Sequence, residues 1–246
     1  MSIMQRVKQQ IEGMPAGQLI TYADFKLEEA EFGALAAALS RLARQGYIAR
    51  YGKGHYYKPK ETVFGSLKPR EKDVVSSLVN RSKNKAAYEG GMSLYNRLGL
   101  TTQVPNELTI VTNASRKAVT RRSASLGKTK VKIIESSINF QETDIDKLEI
   151  LDAIQQIKKI AASSVDEIGR ILLTKLASYQ PAEVVRVVEL AESYNPSTRA
   201  FLGAMLDKLG YVEMTKPLRN NLNPLSNYRL GISERVLPNK KDWRII

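Results

Sequence analysis

Residues 32–60 read FGALAAALSRLARQGYIARYGKGHYYKPK, and their pattern decides the fold expected for the N-terminal part of the chain. Leu35, Ala38, Leu39 and Leu42 recur at spacings of three and four, which on a helix stacks them along one buried face. The other face carries Gly33, Ala37, Ser40, Arg41 and Arg44. Small residues there allow close approach, and a hydroxyl with two guanidinium groups supplies donors for phosphates or for the O6/N7 edge of guanine. Gly46 stops the helix. Ile48–Tyr51 and His55–Lys58 are short aromatic-rich runs joined by Gly52-Lys53-Gly54, which is the chemistry of a tight hairpin. Arg50 and Lys53 fall in that hairpin and suit phosphate contacts.

The residues upstream complete a unit. Ile3, Val7 and Ile11 share a helical face ended by Gly13, giving an amphipathic scaffold helix. A second, shorter helix follows, with Thr21 at its cap, Asp24 in the capping-box position, and Tyr22, Ala23 and Phe25 on its buried side. Helix, short helix, recognition helix and hairpin are the order of a winged helix-turn-helix, in which the third element enters the major groove and the hairpin touches backbone. The same fold also serves as a protein-protein module, and two arginines on a helix also suit a solvated face.

Charge favours the nucleic-acid reading. With 38 Lys and Arg against 25 Asp and Glu, the net charge is +13 and the sequence pI is near 9.8, an excess that attracts a polyanion. It is unevenly distributed: residues 1–60 carry +4, residues 61–135 carry +8 and residues 136–246 carry +1. Within the basic middle, Arg121 and Arg122, with Arg116, Lys117 and a group from Lys68 to Lys85, are candidates to extend the phosphate contacts beyond the hairpin or to stand as solvated charge.

The 246 residues leave room for two domains, set here at 1–60 for the DNA-binding domain and 61–246 for the remainder. There is no cysteine, so no disulfide and no thiolate metal site, which fits a reducing cytosol. The opening MSIMQRVKQQIEGM lacks the apolar run of a signal peptide and no window reaches the length of a membrane span, so a cytoplasmic protein without membrane association is expected.

Catalysis is argued against by subtraction. The single histidine, His55, lies in the expected hairpin, so no Ser-His-Asp triad or histidine-rich metal site assembles around it. Gly127-Lys128-Thr129 resembles a phosphate-binding P-loop, but the motif's first glycine would fall at Arg122. Asp144, Asp146, Glu149 and Asp152 cluster at the start of an expected helix, where the helix dipole favours acids. No enzyme, metal or cofactor is therefore expected.

Beyond Lys60 a mixed domain is expected, making the chain α+β overall. Helices are expected at Glu71–Asn80 and Met92–Leu98. Strands at Leu108–Thr112, Ala118–Thr120 and Val131–Ile134 would form a small antiparallel sheet. Helical segments follow from Ile145, with Leu148, Leu151, Ile154, Ile157 and Ile160 on one face, and then at Val165–Ala177, Pro181–Ser193 and Ser197–Leu209. The last 36 residues are expected to be an irregular tail, with the lone Trp243 wrapped over the domain. Thr101, Thr102 and Gln103 sit between Leu100 and Val104, as in a loop pinned by apolar anchors.

The stretch GGMSLYNRLGLTTQVPNELTIVTNASRKAV, Gly90–Val119, resembles the abortive-infection antitoxins of the AbiEi type, through its Leu-Gly-Leu and Thr-Gln-Val-Pro core and a strand ending Thr-Asn. The Tyr-Tyr-Lys-Pro run at Tyr56–Pro59 matches the end of the family's N-terminal winged helix. The resemblance covers roughly residues 1–135, and the turn after Asn113 has Ala114 where the family usually has glycine. It implies the DNA-binding autorepressor and antitoxin of a type IV toxin-antitoxin system. Such a protein binds inverted repeats in its own promoter and counteracts a nucleotidyltransferase toxin without forming a stable complex with it. The alternative is a winged-helix regulator of a mobile element without antitoxin activity.

Overall fold

The computed structural model describes residues 2–25, 28–52, 54–62, 65–67, 69, 86–113, 123–126 and 129–246. The chain is mixed α+β and divides into two compact units, Met1–Ala86 with Ala114–Ile133, and Ala87–Asn113 with Ile134–Ile246. The units are therefore not divided at Lys60: the first extends past it and also takes in a later stretch of chain.

In the first unit, α1 (Ile3–Glu12) starts at a capping box in which Ser2 and Gln5 satisfy each other's backbone N–H groups, and it buries Val7 and Ile11. Strand β1 (Leu19–Thr21) follows, wholly buried. Thr21 and Asp24 form the expected capping box, with the Thr21 N–H donating to Asp24 Oδ2 at 2.6 Å. The expected second helix is not an α-helix but two single 3₁₀ turns, Tyr22–Asp24 and Glu29–Glu31. Phe25 leaves the first turn in an extended conformation, so helical bonding has only one turn over which to develop.

Helix α2 (Phe32–Arg44) buries the expected Leu35, Ala38, Leu39 and Leu42. Gly46, at φ +75°, lets the Tyr47 N–H reach Leu42 O and its own N–H reach Ala43 O, closing the helix end. The chain then forms a hairpin of β2 (Ala49–Gly52) and β3 (His55–Tyr57), with Arg50 opposite Tyr56. The pattern did not disclose that β1 pairs with β3 on its other side, Ile20 opposite Tyr56, making a three-stranded sheet. Val7, Ile11, Ile20, Phe25, Leu35, Leu39, Leu42, Ile48 and Tyr56 form one apolar core. A second hairpin, β4 (Lys60–Thr62) with β5 (Gly65–Leu67), follows. The antiparallel pair β8 (Ser123–Leu126) and β9 (Thr129–Glu135) sets Ser123 opposite Lys132 and Leu126 opposite Thr129. The expected helix at 71–80 and strand at 118–120 lie outside the described residues.

In the second unit β6 (Ala87–Gly90) pairs antiparallel with β7 (Glu107–Thr112) around the short helix α3 (Gly91–Arg97). The helices α5 (Val165–Leu176), α6 (Pro181–Ala191) and α7 (Pro196–Lys208) occupy the spans expected for them within a residue or two, while α4 (Ile145–Gln155) starts where expected and stops short of Ile160. The stripe of α4 ends at Ile154; Ile157 sits in a 3₁₀ turn, although Ile157 and Ile160 are both buried. Helix α7 is enclosed through its middle: Ala200 through Leu206 are all buried, as a central core helix requires. No helix among the described residues is long and apolar enough to cross a membrane.

The C-terminal stretch is more ordered than its composition suggests. It contains α8 (Lys216–Asn220) and a closing 3₁₀ turn that brings Trp243 into full burial against α7. A Cβ at Gly203 would lie 2.2 Å from the indole. The indole N–H donates to Asp207 Oδ2 at 2.9 Å, and the same oxygen accepts from Arg219, whose guanidinium lies 4.7 Å from the ring centre. Gly203→Ala is therefore expected to destabilise by about 1–3 kcal/mol or more, and Trp243→Ala by about 3–5 kcal/mol. In the Trp243→Ala background the same Gly203→Ala change should become neutral or stabilising, since alanine suits a helix better by up to about 1 kcal/mol. Urea unfolding of the four proteins checks this, and simple additivity would contradict the packing.

Candidate nucleic-acid interface

Opposite its buried seam, α2 leaves Gly33, Ala37 and Arg44 exposed and Ser40 half-buried, with exposed Arg41 one step round the helix. A Cβ at Gly33 would meet nothing within 4 Å, so packing inside the unit gives no reason for glycine there. Among the described residues neither Arg41 nor Arg44 pairs with an acid. Arg6, which bonds Glu31 at 3.1 Å just ahead of α2, shows what a satisfied arginine looks like in the same unit. In the β2–β3 hairpin Arg50 is exposed, its Nε donating to Gly52 O at 3.3 Å. Tyr56 lies opposite Arg50, with His55 opposite Gly52 and Tyr57 opposite Ala49, and the Tyr51 ring stands edge-on to Tyr57 at 6.0 Å. Lys53, Arg121 and Arg122 lie outside the described residues.

Nearby hydrogen bonds hold the scaffold. Tyr47 donates to Glu12 Oε1 at 3.1 Å and Lys58 Nζ to Glu12 O at 3.2 Å, joining the ends of α1, α2 and the hairpin. Lys8 stands 5.1 Å from the Tyr47 ring centre.

In the second unit, the acids that the sequence places at a helix start are clamps between elements. Asp144, ahead of α4, is buried and accepts both Arg186 Nε at 2.8 Å and Arg186 Nη2 at 2.9 Å. That guanidinium holds the Asp144 carboxyl below its ordinary range. Lys147 bridges Asp146 and Glu183, and Glu149 accepts Arg97 Nη2 at 2.5 Å. Asp152 takes one hydroxyl from Tyr88 at 2.8 Å and one from Tyr194 at 2.7 Å, tying β6 and the end of α6 to α4. The helix dipole accounts for acids in the first turn, but Glu149 and Asp152 lie beyond it; cross-element pairing is their reason, and the spacing within one helix does not disclose partners 42 to 64 residues away.

The Gly90–Val119 stretch is also internally committed where it is described. Thr101 Oγ1 donates to Ala161 O at 2.7 Å, and Asn96 Nδ2 reaches both Thr101 O and Gln103 O. Asn113 Nδ2 donates to Phe140 O at 2.7 Å. Leu100 is the expected apolar anchor and is fully buried, but Val104 is 82% exposed.

This geometry describes an α+β protein with one unit bearing an unpaired basic helix face and another bearing an internally neutralised polar network. The chain belongs to the family of unknown function DUF6088, whose model matches residues 6–182, from α1 to the start of α6. No curated protein matches it. Among solved structures, the crystal structure of the RV2827C protein from Mycobacterium tuberculosis is similar at 15% identity and a TM-score of 0.42, over 92% of this chain and 84% of that one.

Burial raises the Asp152 carboxyl above its ordinary range, the two tyrosine hydroxyls opposing the shift. A carboxyl whose folded pKa exceeds its unfolded value contributes stability that is full below the unfolded pKa and is lost as pH rises through the folded one. The stability of the protein minus that of Asp152→Asn should therefore fall as pH rises from about 4 towards neutrality. Urea midpoints across that range decide it; a difference that grows with pH would show that the tyrosines outweigh burial.

Proposed function

We propose that the chain is a DNA-binding transcriptional regulator whose N-terminal unit acts as a winged helix-turn-helix, with α2 as recognition helix and the β2–β3 hairpin as wing. The carrying observation is the stripe of Gly33, Ala37, Ser40 and Arg44, flanked by Arg41, opposite a fully buried seam. Small residues let the helix sit deep in a groove, and the unpaired arginines offer bidentate donors to guanine O6/N7. Gly33 gains a reason here that the fold does not give it, since duplex DNA against the helix start leaves no room for a side chain.

The Gly90–Val119 resemblance supports the fuller reading: an autorepressor bound to inverted repeats in its own promoter, and the antitoxin of a type IV system counteracting a nucleotidyltransferase toxin. One observation favours the second reading, a regulator without antitoxin activity. The described polar residues of that stretch, Asn96, Thr101 and Asn113, are taken up in internal hydrogen bonds, as plain structural residues would be.

On a duplex from the region upstream of the gene, Arg41→Ala and Arg44→Ala should each cost about 1–3 kcal/mol if they read bases, with the fold intact by circular dichroism. Gly33→Ala should bind less tightly while leaving the fold as stable as before, or more stable by up to about 1 kcal/mol. Unchanged affinity in the Arg41/Arg44 double variant overturns the assignment. Point variants suit the antitoxin test better than truncation after Lys60, because the first unit extends beyond that residue. Co-expressed with the neighbouring toxin, the double variant should lose promoter repression and still rescue growth; if rescue and repression fail together, the protein is a repressor only.

A further inference from the structure

We infer that the β8–β9 hairpin is a second phosphate-binding element, through which Lys130 and Lys132 grip the backbone of the same duplex; this rests on the DNA-binding reading above. Strand periodicity puts residues 130 and 132 on one face and 131 on the other. The structure follows it, with Val131 buried and both lysines exposed. The strand is thus fixed from below by an apolar anchor, while its outer face carries Lys130 and Lys132 and, further along, the exposed Ile134.

Placement carries the inference further than charge alone. The hairpin as far as Ile133 belongs to the same compact unit as α2, and β8 runs beside β2, the strand that bears Arg50. A second basic hairpin therefore lies against the first. Among the described residues neither Lys130 nor Lys132 has an acidic partner, whereas Lys147, Lys216 and Lys241 in the second unit each have one. From Ala114 to Ile134 the sequence holds seven basic residues and no acid. A solvated face that serves only solubility mixes both signs; a single-sign stripe beside a strand carrying an exposed arginine is complementary to a polyanion.

The test compares the full-length protein with Lys130→Gln/Lys132→Gln and with Arg41→Ala/Arg44→Ala, on the upstream duplex and on a duplex of scrambled sequence, over a range of salt. The lysine variant should weaken binding to both duplexes by the same factor and lower the slope of log K against log salt by about two units, sequence preference being kept. Lys130→Arg/Lys132→Arg should bind as the parent does. If the lysine variant keeps the parent slope while the arginine variant loses the upstream duplex, the inference fails and the DNA-binding reading stands. A lysine variant that loses preference without a change in slope also overturns it, because the lysines would then be reading bases. If the parent protein binds neither duplex, the DNA-binding reading itself fails.

Discussion

What the first unit presents to solvent depends on one packing event, the burial of Leu35, Leu39 and Leu42 against Val7, Ile11, Ile20 and Ile48. These side chains fix the rotation of α2 about its axis. A turn of one residue would move the seam by 100° and carry Arg44 and Gly33 away from the face they share. Burying a leucine in such a core contributes about 1.5–3 kcal/mol, far more than an exposed arginine gains from any surface contact in the free protein. The apolar side chains therefore set the geometry, and the polar ones inherit it. The Schellman closure at Gly46 matters for the same reason, since it sends the chain directly from the end of α2 into the β2–β3 hairpin and fixes the position of Arg50 relative to the helix.

Much of this was legible in the sequence because it is local. The buried stripe of α2, the capping box at Thr21, the turn at Gly46 and the hairpin after Ile48 each lie within a few residues of their own signals. Helices α5, α6 and α7 were likewise marked by Ser164, Pro181 and Pro196 at their starts. What escaped the reading depends on partners distant in the chain. Leu19–Thr21 is three residues long and becomes a strand only because Tyr57 lies opposite, nearly 40 positions later. Trp243 looked like part of an irregular tail, and its fit depends on one missing side chain at Gly203. The extent of the compact units was hidden for the same reason: the Pro59-Lys60 boundary is a local feature, while a compact unit is defined by contacts such as those of β8 with β2.

The candidate interface was legible in its residue types but not in its extent. Alternation of lysine with valine in β9 was present in the sequence, but a period of two over so few residues does not say which compact unit the strand will join. Pairing with β8, and the approach of β8 to β2, supply that information.

The two units treat charge in opposite ways. In the second, Arg97, Lys147, Arg186 and Arg219 each meet a carboxylate from another part of the chain, and these pairs join α3 and α6 to α4 and its start, and α8 to α7. Residues 136–246 are accordingly close to neutral. In the first unit the described Arg41, Arg44, Lys130 and Lys132 meet no acid, and the excess is left to the solvent. Exposed like charges repel and add nothing to the stability of the free protein, so the fold alone does not account for their grouping. Beyond about 8–10 Å such charges are screened at physiological salt, so a polyanion gains most where several cations lie together on one compact unit. The observed segregation, with neutralised charge in one unit and grouped charge in the other, is what a protein needs if one part is to hold its own shape by ion pairs while the other keeps its cations available for phosphate.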